Sequence, residues 1–387
     1  MKQDKKYSPL HFIDIKSNKI IKDFISLLKK GYWNFFDYES FVFNESLPPD
    51  KINLQRPLFK NIQQIIPGNQ WNFETKQLEQ NLYTPKRVRH TFDEFISISN
   101  DFFNSLNAKR IGVHLSGGLD SGIVICLLNY LNIPFVPIGI QVKSYEFRTE
   151  RYIQDKLVVL GKDGLLIDYD ETPFYKDIDK IPIHAIPTGI IQSYLINERL
   201  SSEFKKLDCD VVISGQGGDS LFVDGCHNLS DLVFNIGNEF VLEDARNISY
   251  NPKGIELISF YSHIPIINII SSAREGKHDD PLKIWARKWC KPILPKELSD
   301  YTYIGDFFAL GMRGLNEAKP TIKKIFEKAF EISHIECFNP KNTKKYLSTD
   351  VFNFEVQDYW QFCSSLSLAV WYNSLSNEKS TDKISYR

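Results

Sequence analysis

No two of the six cysteines (Cys126, Cys209, Cys226, Cys290, Cys337 and Cys363) form a Cys-x-x-Cys pair. That spacing excludes a zinc knuckle and speaks against a disulfide framework. Buried free thiols in a reducing compartment are the expectation. An excess of charge of one sign is also missing. The 47 basic and 48 acidic residues leave a formal net charge of −1. Nothing global therefore draws the chain to nucleic acid or to an anionic membrane. No apolar run approaches the roughly 18 residues of a membrane span. The opening Met1-Lys2-Gln3-Asp4-Lys5-Lys6 is charged and is not followed by a signal-peptide core. The expected location is cytoplasmic. There is no internal repeat and no low-complexity tract.

What is present is an ordinary globular composition, 42% apolar, with 28 Phe and 18 Tyr among 387 residues. The aromatics read as packing material rather than as a stacking platform. The first 80 or so residues mix short helical and strand-like patterns and close on a Pro67-Gly68 turn signal. A polar stretch around Pro85 reads as a linker as far as about residue 91. A helix is predicted from Thr91 to about Leu106, with Phe92, Phe95, Ile96, Phe102 and Phe103 at helical spacing.

Residues 110 to 225 then alternate. Strands are predicted at Ile111–Leu115, Phe135–Ile140, Leu165–Ile167 and Val211–Ile213, with helices at Gly122–Leu131 and Glu150–Leu160. Repeated strand–helix–strand units predict an α/β fold with a parallel sheet covered on both faces. Residues 226–387 read as mainly helical, with breaks at Pro281, Pro292, Pro295 and Pro320.

The informative segment is Ser116-Gly117-Gly118-Leu119-Asp120-Ser121, between a predicted strand and a predicted helix. Adjacent glycines let backbone approach an anion closely, and the N–H groups of a helix start complete a phosphate cradle. Ser116 and Ser121 add hydroxyls. Asp120 would repel phosphate unless it holds a magnesium ion that bridges to it. A plain strand-to-helix turn is the competing reading. The loop is neither a Walker A sequence nor a dinucleotide fingerprint. A second segment, Ser214-Gly215-Gln216-Gly217-Gly218-Asp219, also follows an apolar strand and also ends in an acid. Two such loops at the carboxyl ends of parallel strands can face one crevice, with Asp219 as a second magnesium carboxylate.

These two segments resemble the synthetase domain of the asparagine synthetase family, which includes β-lactam synthetases and lasso-peptide macrolactam synthetases. Ser-Gly-Gly-Leu-Asp-Ser matches the family's pyrophosphate loop. Val212 to Phe222 resembles its second signature, with Gln216 and Ser220 where the family usually has Glu. Leu58-Phe59-Lys60-Asn61-Ile62 followed by Pro67-Gly68 resembles the end of the amidotransferase domain of the larger members. Pro292-Ile293-Leu294-Pro295 resembles the lead into the loop of the catalytic lysine.

The resemblance implies two regions: a truncated amidotransferase-like part over 1–90, and an ATP-dependent synthetase domain over 91–387 with a largely helical C-terminal portion. It implies ATP and Mg²⁺ as cofactors. It implies a reaction in which a carboxylate is adenylated, pyrophosphate leaves, and an amine attacks the acyl-AMP. Leu115, Ile138, Ser214 and Gly215 would meet the nucleotide through backbone groups. Ser116, Gly117, Gly118 and Ser121 would hold pyrophosphate, and Asp120 and Asp219 the metal. The expected substrates are a small-molecule or peptide carboxylate and amine, in peptide or natural-product biosynthesis, with a pathway partner protein as an option.

Two departures qualify this. Glutamine-hydrolysing members begin with a cysteine, whereas Lys2 follows Met1 and no cysteine precedes Cys126. Glutamine-derived ammonia is therefore not expected from this chain. The family lysine should fall near Tyr303, and Tyr301–Phe307 contains none. Lys296 is the nearest substitute to test. Weaker candidates are Asp177 and Asp179 as acids near the amine, His184 facing the crevice, and Arg274, Lys277, Arg287 and Lys288 as clamps. Solvated faces or core packing are the plainer readings of each. The alternatives are a catalytically degenerate ATP-binding partner protein and a PP-loop tRNA-modifying enzyme.

Overall fold

A computed structural model describes residues 11–30, 59–65, 69–80, 86–144, 147–224, 242–275, 282–300, 307–332 and 340–379. The chain folds into two compact units. One comprises Tyr83–Pro173 and Ile196–Phe307, the other Met1–Leu82, Phe174–Leu195 and Phe308–Arg387.

The first of these is the α/β unit. Its helix α1 (Phe92–Ser105) starts where Thr91 caps it, Oγ1 accepting the Glu94 N–H at 3.2 Å. Then follow β1 (Ile111–His114), α2 (Leu119–Tyr130), β2 (Phe135–Gln141), α3 (Arg148–Val158) and β3 (Leu165–Asp168). Helix α4 (Ile190–Lys206) joins this unit from Ile196 on, and leads to β4 (Val211–Ser214) and β5 (Glu256–Ser259). Helices α5 (Ile264–Arg274), α6 (Ile284–Cys290) and α7 (Lys296–Ser299) complete it.

The five strands form one parallel sheet in the order β5-β4-β1-β2-β3. β1 is central, with Val113 opposite Pro137 on one side and Ile213 on the other. β2 and β3 extend the sheet one way from β1, and β4 and β5 the other. The order thus reverses between β1 and β4, and ligands of open α/β sheets bind outside the carboxyl ends of the strands at such a point. Both glycine-rich segments leave the sheet there. Helix α2 is buried from Ser121 to Leu128, which is why its sequence shows no polar face. Each fully buried Ile or Leu contributes about 1.5–3 kcal/mol relative to exposure.

The β5 strand was not foreseen within a region read as helical. It is four residues long, Glu-Leu-Ile-Ser, and alternates exposed and buried positions as an edge strand does. The stretch read as a linker is also different. Lys86 N–H donates to Asn268 Oδ1 at 2.9 Å and Val88 N–H to Ser272 Oγ at 3.1 Å, while Arg87 pairs with Glu275. Residues 86–88 are thereby strapped along α5.

The other unit has a small antiparallel sheet of Lys19–Ile21, His11–Asp14 and Ile62–Ile65, in that order, and a hairpin of Asn69–Asn72 with Gln77–Gln80. Phe12 stacks on Phe24, which meets Phe59 edge-on, so the early aromatics are core. Its carboxyl part is helical: Phe307–Ile332, Pro340–Ser348 and Val356–Lys379. Pro320 does not break the first of these. The missing N–H and ring clash cost about 3 kcal/mol. Burial of Leu315, Ile322, Ile325 and Phe326 around it holds the helix together. Among the described residues, no helix is long and apolar enough to cross a membrane. Cys126, Cys209, Cys290 and Cys363 are buried free thiols, and Cys226 and Cys337 lie outside the described residues.

Candidate active site

The first loop turns on Gly117, whose φ of +86° suits glycine. A Cβ there would also lie 2.7 Å from the Glu150 carbonyl oxygen. Gly118 caps α2 and offers no side chain to its first turn, so the N–H groups at the helix start have no side-chain cap. The serine hydroxyls are paired in the loop itself. Ser116 and Ser121 Oγ are 2.8 Å apart, Ser116 N–H donates to Ser121 Oγ, and Gly118 N–H donates to Ser116 Oγ. Leu115 N–H donates to the Ile138 carbonyl at 2.9 Å, and the Leu115 carbonyl accepts from Gln154 Nε2 at 3.2 Å. The expected nucleotide contacts Leu115 and Ile138 are therefore adjacent, with these groups bonded within the protein.

The second loop lies directly on the first. A Cβ on Gly215 would meet Ser121 N at 2.7 Å, and one on Gly218 would meet Asp120 Cγ at 2.4 Å. Gly217 takes a φ of +87°. Ser214 Oγ accepts the Gln216 N–H at 3.1 Å, and Ser259 Oγ at the end of β5 donates to the Gln216 carbonyl at 2.7 Å. Tyr261 Oη donates to the Asp120 carbonyl at 2.9 Å. The glycines here are spacing residues: they let two loops share one volume.

Into that volume comes a side chain that the sequence reading missed. Lys283 Nζ lies 2.6 and 2.7 Å from the two Asp120 carboxylate oxygens and 2.6 Å from Asp219 Oδ1. It stands 5.8 Å from the Phe222 ring centroid, within cation–π range. The Lys283 side chain is 8% exposed and that of Asp120 15%, whereas Asp219 is 85% exposed. Asp120 is thus the inner carboxylate and Asp219 the outer. Burial and the neighbouring Asp219 charge push the Asp120 carboxyl up to about 6, against the opposing pull of Lys283. Burial alone would lower Lys283, and the two carboxylates outweigh it, holding the ammonium above its ordinary value.

Lys283 stands just before α6 with φ +53°, ψ +40°. For a residue with a Cβ this left-handed backbone costs about 1–2 kcal/mol. Arg287 holds it: Nε donates to the Leu282 carbonyl at 2.8 Å and Nη1 to the Leu298 carbonyl. Arg274 is fully buried and donates to the Phe222 and Val223 carbonyls. Both arginines spend these donors on backbone. Lys288 is exposed, as the plainer reading has it.

Lys296 is exposed at the first turn of α7 and bonds neither carboxylate. Tyr303 and Lys277 lie outside the described residues. In the other unit, Asp177 pairs with Lys180 at 2.9 Å. His184 there is 2% exposed, its Nδ1 3.0 Å from the Pro182 carbonyl. No sequence signal marks Lys283, which sits in a Pro-Leu-Lys-Ile-Trp stretch of ordinary appearance.

The donor set fits a magnesium ion. Two carboxylates converge on one point, where the Lys283 ammonium stands in for a cation. Among the described residues no cluster of three or more His, Cys, Asp or Glu could hold a metal. Two carboxylates completed by phosphate oxygens and water is how magnesium is bound at nucleotide sites.

The asparagine synthase family model matches residues 106–252. The match makes this stretch similar to, and consistent with, an asparagine synthetase family domain. It runs from the end of α1 through β4 and contains both glycine-rich loops, while Lys283 lies beyond it. Members of the asparagine synthetase family are ATP-dependent, amide-forming ligases of the PP-loop class. No curated protein matches the chain as a relative.

Proposed function

We propose that the chain is an AMP-forming amide synthetase that activates a carboxylate with ATP and passes it to an amine. The observation that carries this is the meeting of Asp120, Asp219 and Lys283 at one point between two stacked glycine-rich loops. Gly117, Gly118 and the start of α2 cradle the departing pyrophosphate, with Ser116 and Ser121 turning their hydroxyls from each other to phosphate oxygens. A magnesium ion held by Asp120 and Asp219 would neutralise phosphate charge. Lys283 supplies the side-chain cation that the sequence reading sought near Tyr303. Ser214 and Gly215, at the end of β4, flank the nucleotide side of the crevice.

In the first half-reaction a carboxylate oxygen attacks the α-phosphorus, and the bond to the β-phosphate oxygen breaks to release pyrophosphate. In the second, an amine attacks the acyl carbon, AMP leaves, and the amine loses a proton. Carboxylates are poor electrophiles, and exchanging oxide for AMP as leaving group makes acyl transfer accessible. The site contributes charge neutralisation and positioning. The substrates are a small-molecule or peptide carboxylate and amine, in peptide or natural-product biosynthesis. The degenerate ATP-binding reading draws on the lack of a lysine near Tyr303, and the presence of Lys283 at the two carboxylates weighs against it.

The test is pyrophosphate release from ATP and Mg²⁺ with pools of amino acids and candidate peptides, comparing wild type with Asp120→Ala. Release that needs both Asp120 and one added substrate supports the proposal. ATP binding without release across the pools would favour a degenerate binding protein instead.

A further inference from the structure

The carboxylate pair already holds a cation, and that cation belongs to the chain. Lys283 Nζ is within 2.7 Å of both oxygens of Asp120 and 2.6 Å from Asp219 Oδ1. A divalent ion that drew one oxygen from each carboxylate would have to take the position the ammonium fills. The two cannot share it: their volumes overlap and their like charges repel at contact distance.

We propose that Lys283 is the resident counter-ion of the Asp120–Asp219 pair, so that a divalent cation enters only together with a polyphosphate, to which the ammonium then turns. The polyphosphate half of this rests on the function proposed above; the counter-ion half does not.

Three features support it. First, the backbone of Lys283 is fixed by protein bonds, while its ammonium is held by the two carboxylates themselves. The Arg287 N–H donates to the Lys283 carbonyl at 3.0 Å, and its guanidinium ties down the preceding Leu282 carbonyl. The four-carbon lysine stem can swing about a fixed root while its ammonium changes partners. Second, Lys283 keeps a left-handed backbone that is costly for a residue with a Cβ, and from it the ammonium reaches both carboxylates. Third, among the described residues no cluster of three or more His, Cys, Asp or Glu could hold a metal, so the Asp120–Asp219 pair offers an ion two carboxylates. Magnesium-type ions keep several waters and complete their shell with phosphate oxygens. A bare ion would gain two ligands while facing the displaced ammonium. An ion arriving with pyrophosphate brings its own ligands and gives the ammonium a new anionic partner. Binding of the two is thereby positively coupled, each tightening the other by the same factor.

The probes are Mn²⁺, followed through the paramagnetic signal of the free ion, and inorganic pyrophosphate, both on the full chain. Wild type alone should bind Mn²⁺ only weakly. Lys283→Gln, and Lys283→Met as a second neutral variant, should bind it about tenfold or more tighter without any phosphate, a typical coupling factor. Wild type with pyrophosphate should bind Mn²⁺ more tightly than Asp120→Asn under the same conditions, which subtracts complexation in solution. The wild-type arms need no variant of Lys283 to fold. Wild type that binds Mn²⁺ alone as tightly as Lys283→Gln and Lys283→Met overturns the counter-ion role. So does pyrophosphate-coupled Mn²⁺ binding in wild type with no gain in either variant, an outcome that leaves the proposed function standing. A gain in the variants with no pyrophosphate binding in any protein supports the counter-ion role and sinks the nucleotide reading.

Discussion

Gly218 faces the carboxyl group of Asp120 so closely that a Cβ on it would lie 2.4 Å from Asp120 Cγ and 2.7 Å from Cβ and Oδ2. The glycine of one loop therefore fixes where the acid of the other can stand. Gly218→Ala should push the Asp120 side chain off Lys283. Overpacking of this kind costs about 1–3 kcal/mol. We expect pyrophosphate release to fall at least about tenfold, corresponding to 1.4 kcal/mol or more in the barrier. Parallel melting curves and turnover assays check it. Unchanged turnover would mean that the Asp120 position is not critical.

Asp120 and Asp219 contact the same ammonium, yet one is buried and the other exposed. Their substitution should separate stability from catalysis. Asp120→Asn leaves a buried ammonium with only its outer partner, and breaking a buried pair costs about 3–5 kcal/mol when no partner remains. With Asp219 still present, a loss of about 2 kcal/mol is expected. Asp219→Asn should cost under about 1 kcal/mol, as exposed pairs do. Both should abolish substrate-dependent pyrophosphate release. Equal stability losses in denaturant melts would contradict the inner and outer assignment.

The sheet was legible because its strands are short apolar runs between glycine-rich turns. Ile111–His114, Phe135–Gln141, Leu165–Asp168 and Val211–Ser214 all stand within a residue or so of expectation. β5 escaped because Glu256–Ser259 carries only two apolar residues and lacks a glycine-rich loop after it. The two loops were legible because glycine pairs followed by an acid are uncommon and chemically directed. Lys283 was not, because a lysine announces nothing about burial. Its partners lie 163 and 64 positions upstream, and only the fold brings them together. Arg287 was noticed for its charge and read as a clamp or a solvated face. The structure gives its donors to carbonyls that hold Lys283 in place.

Lys296 offers a direct contrast with Lys283. It opens the short helix α7 and is exposed. Lys296→Ala removes a solvated charge, and such surface changes stay within about 0.5 kcal/mol. We expect melting and pyrophosphate release within about twofold of wild type. A large loss of turnover at unchanged stability would return Lys296 to the reaction.

His184 tests the acid stability of the other unit. It is 2% exposed, its Nδ1 meets the Pro182 carbonyl, and Nε2 has no hydrogen-bond partner. Burial pulls its pKa from 6.5 down to about 4, only partly offset by the Pro182 carbonyl. The folded state therefore holds the neutral ring, while the unfolded chain takes up a proton below about 6.5. This contribution is complete above pH 6.5 and is lost as the pH falls to about 4. At 1.36 kcal/mol per pH unit it amounts to about 3 kcal/mol. His184→Gln cannot titrate and should lose that much less between pH 7 and pH 4, after a pH-independent packing cost of about 1–2 kcal/mol. Denaturant melts of both proteins across that range check it. Stability curves that stay parallel would show that His184 takes no part in acid unfolding.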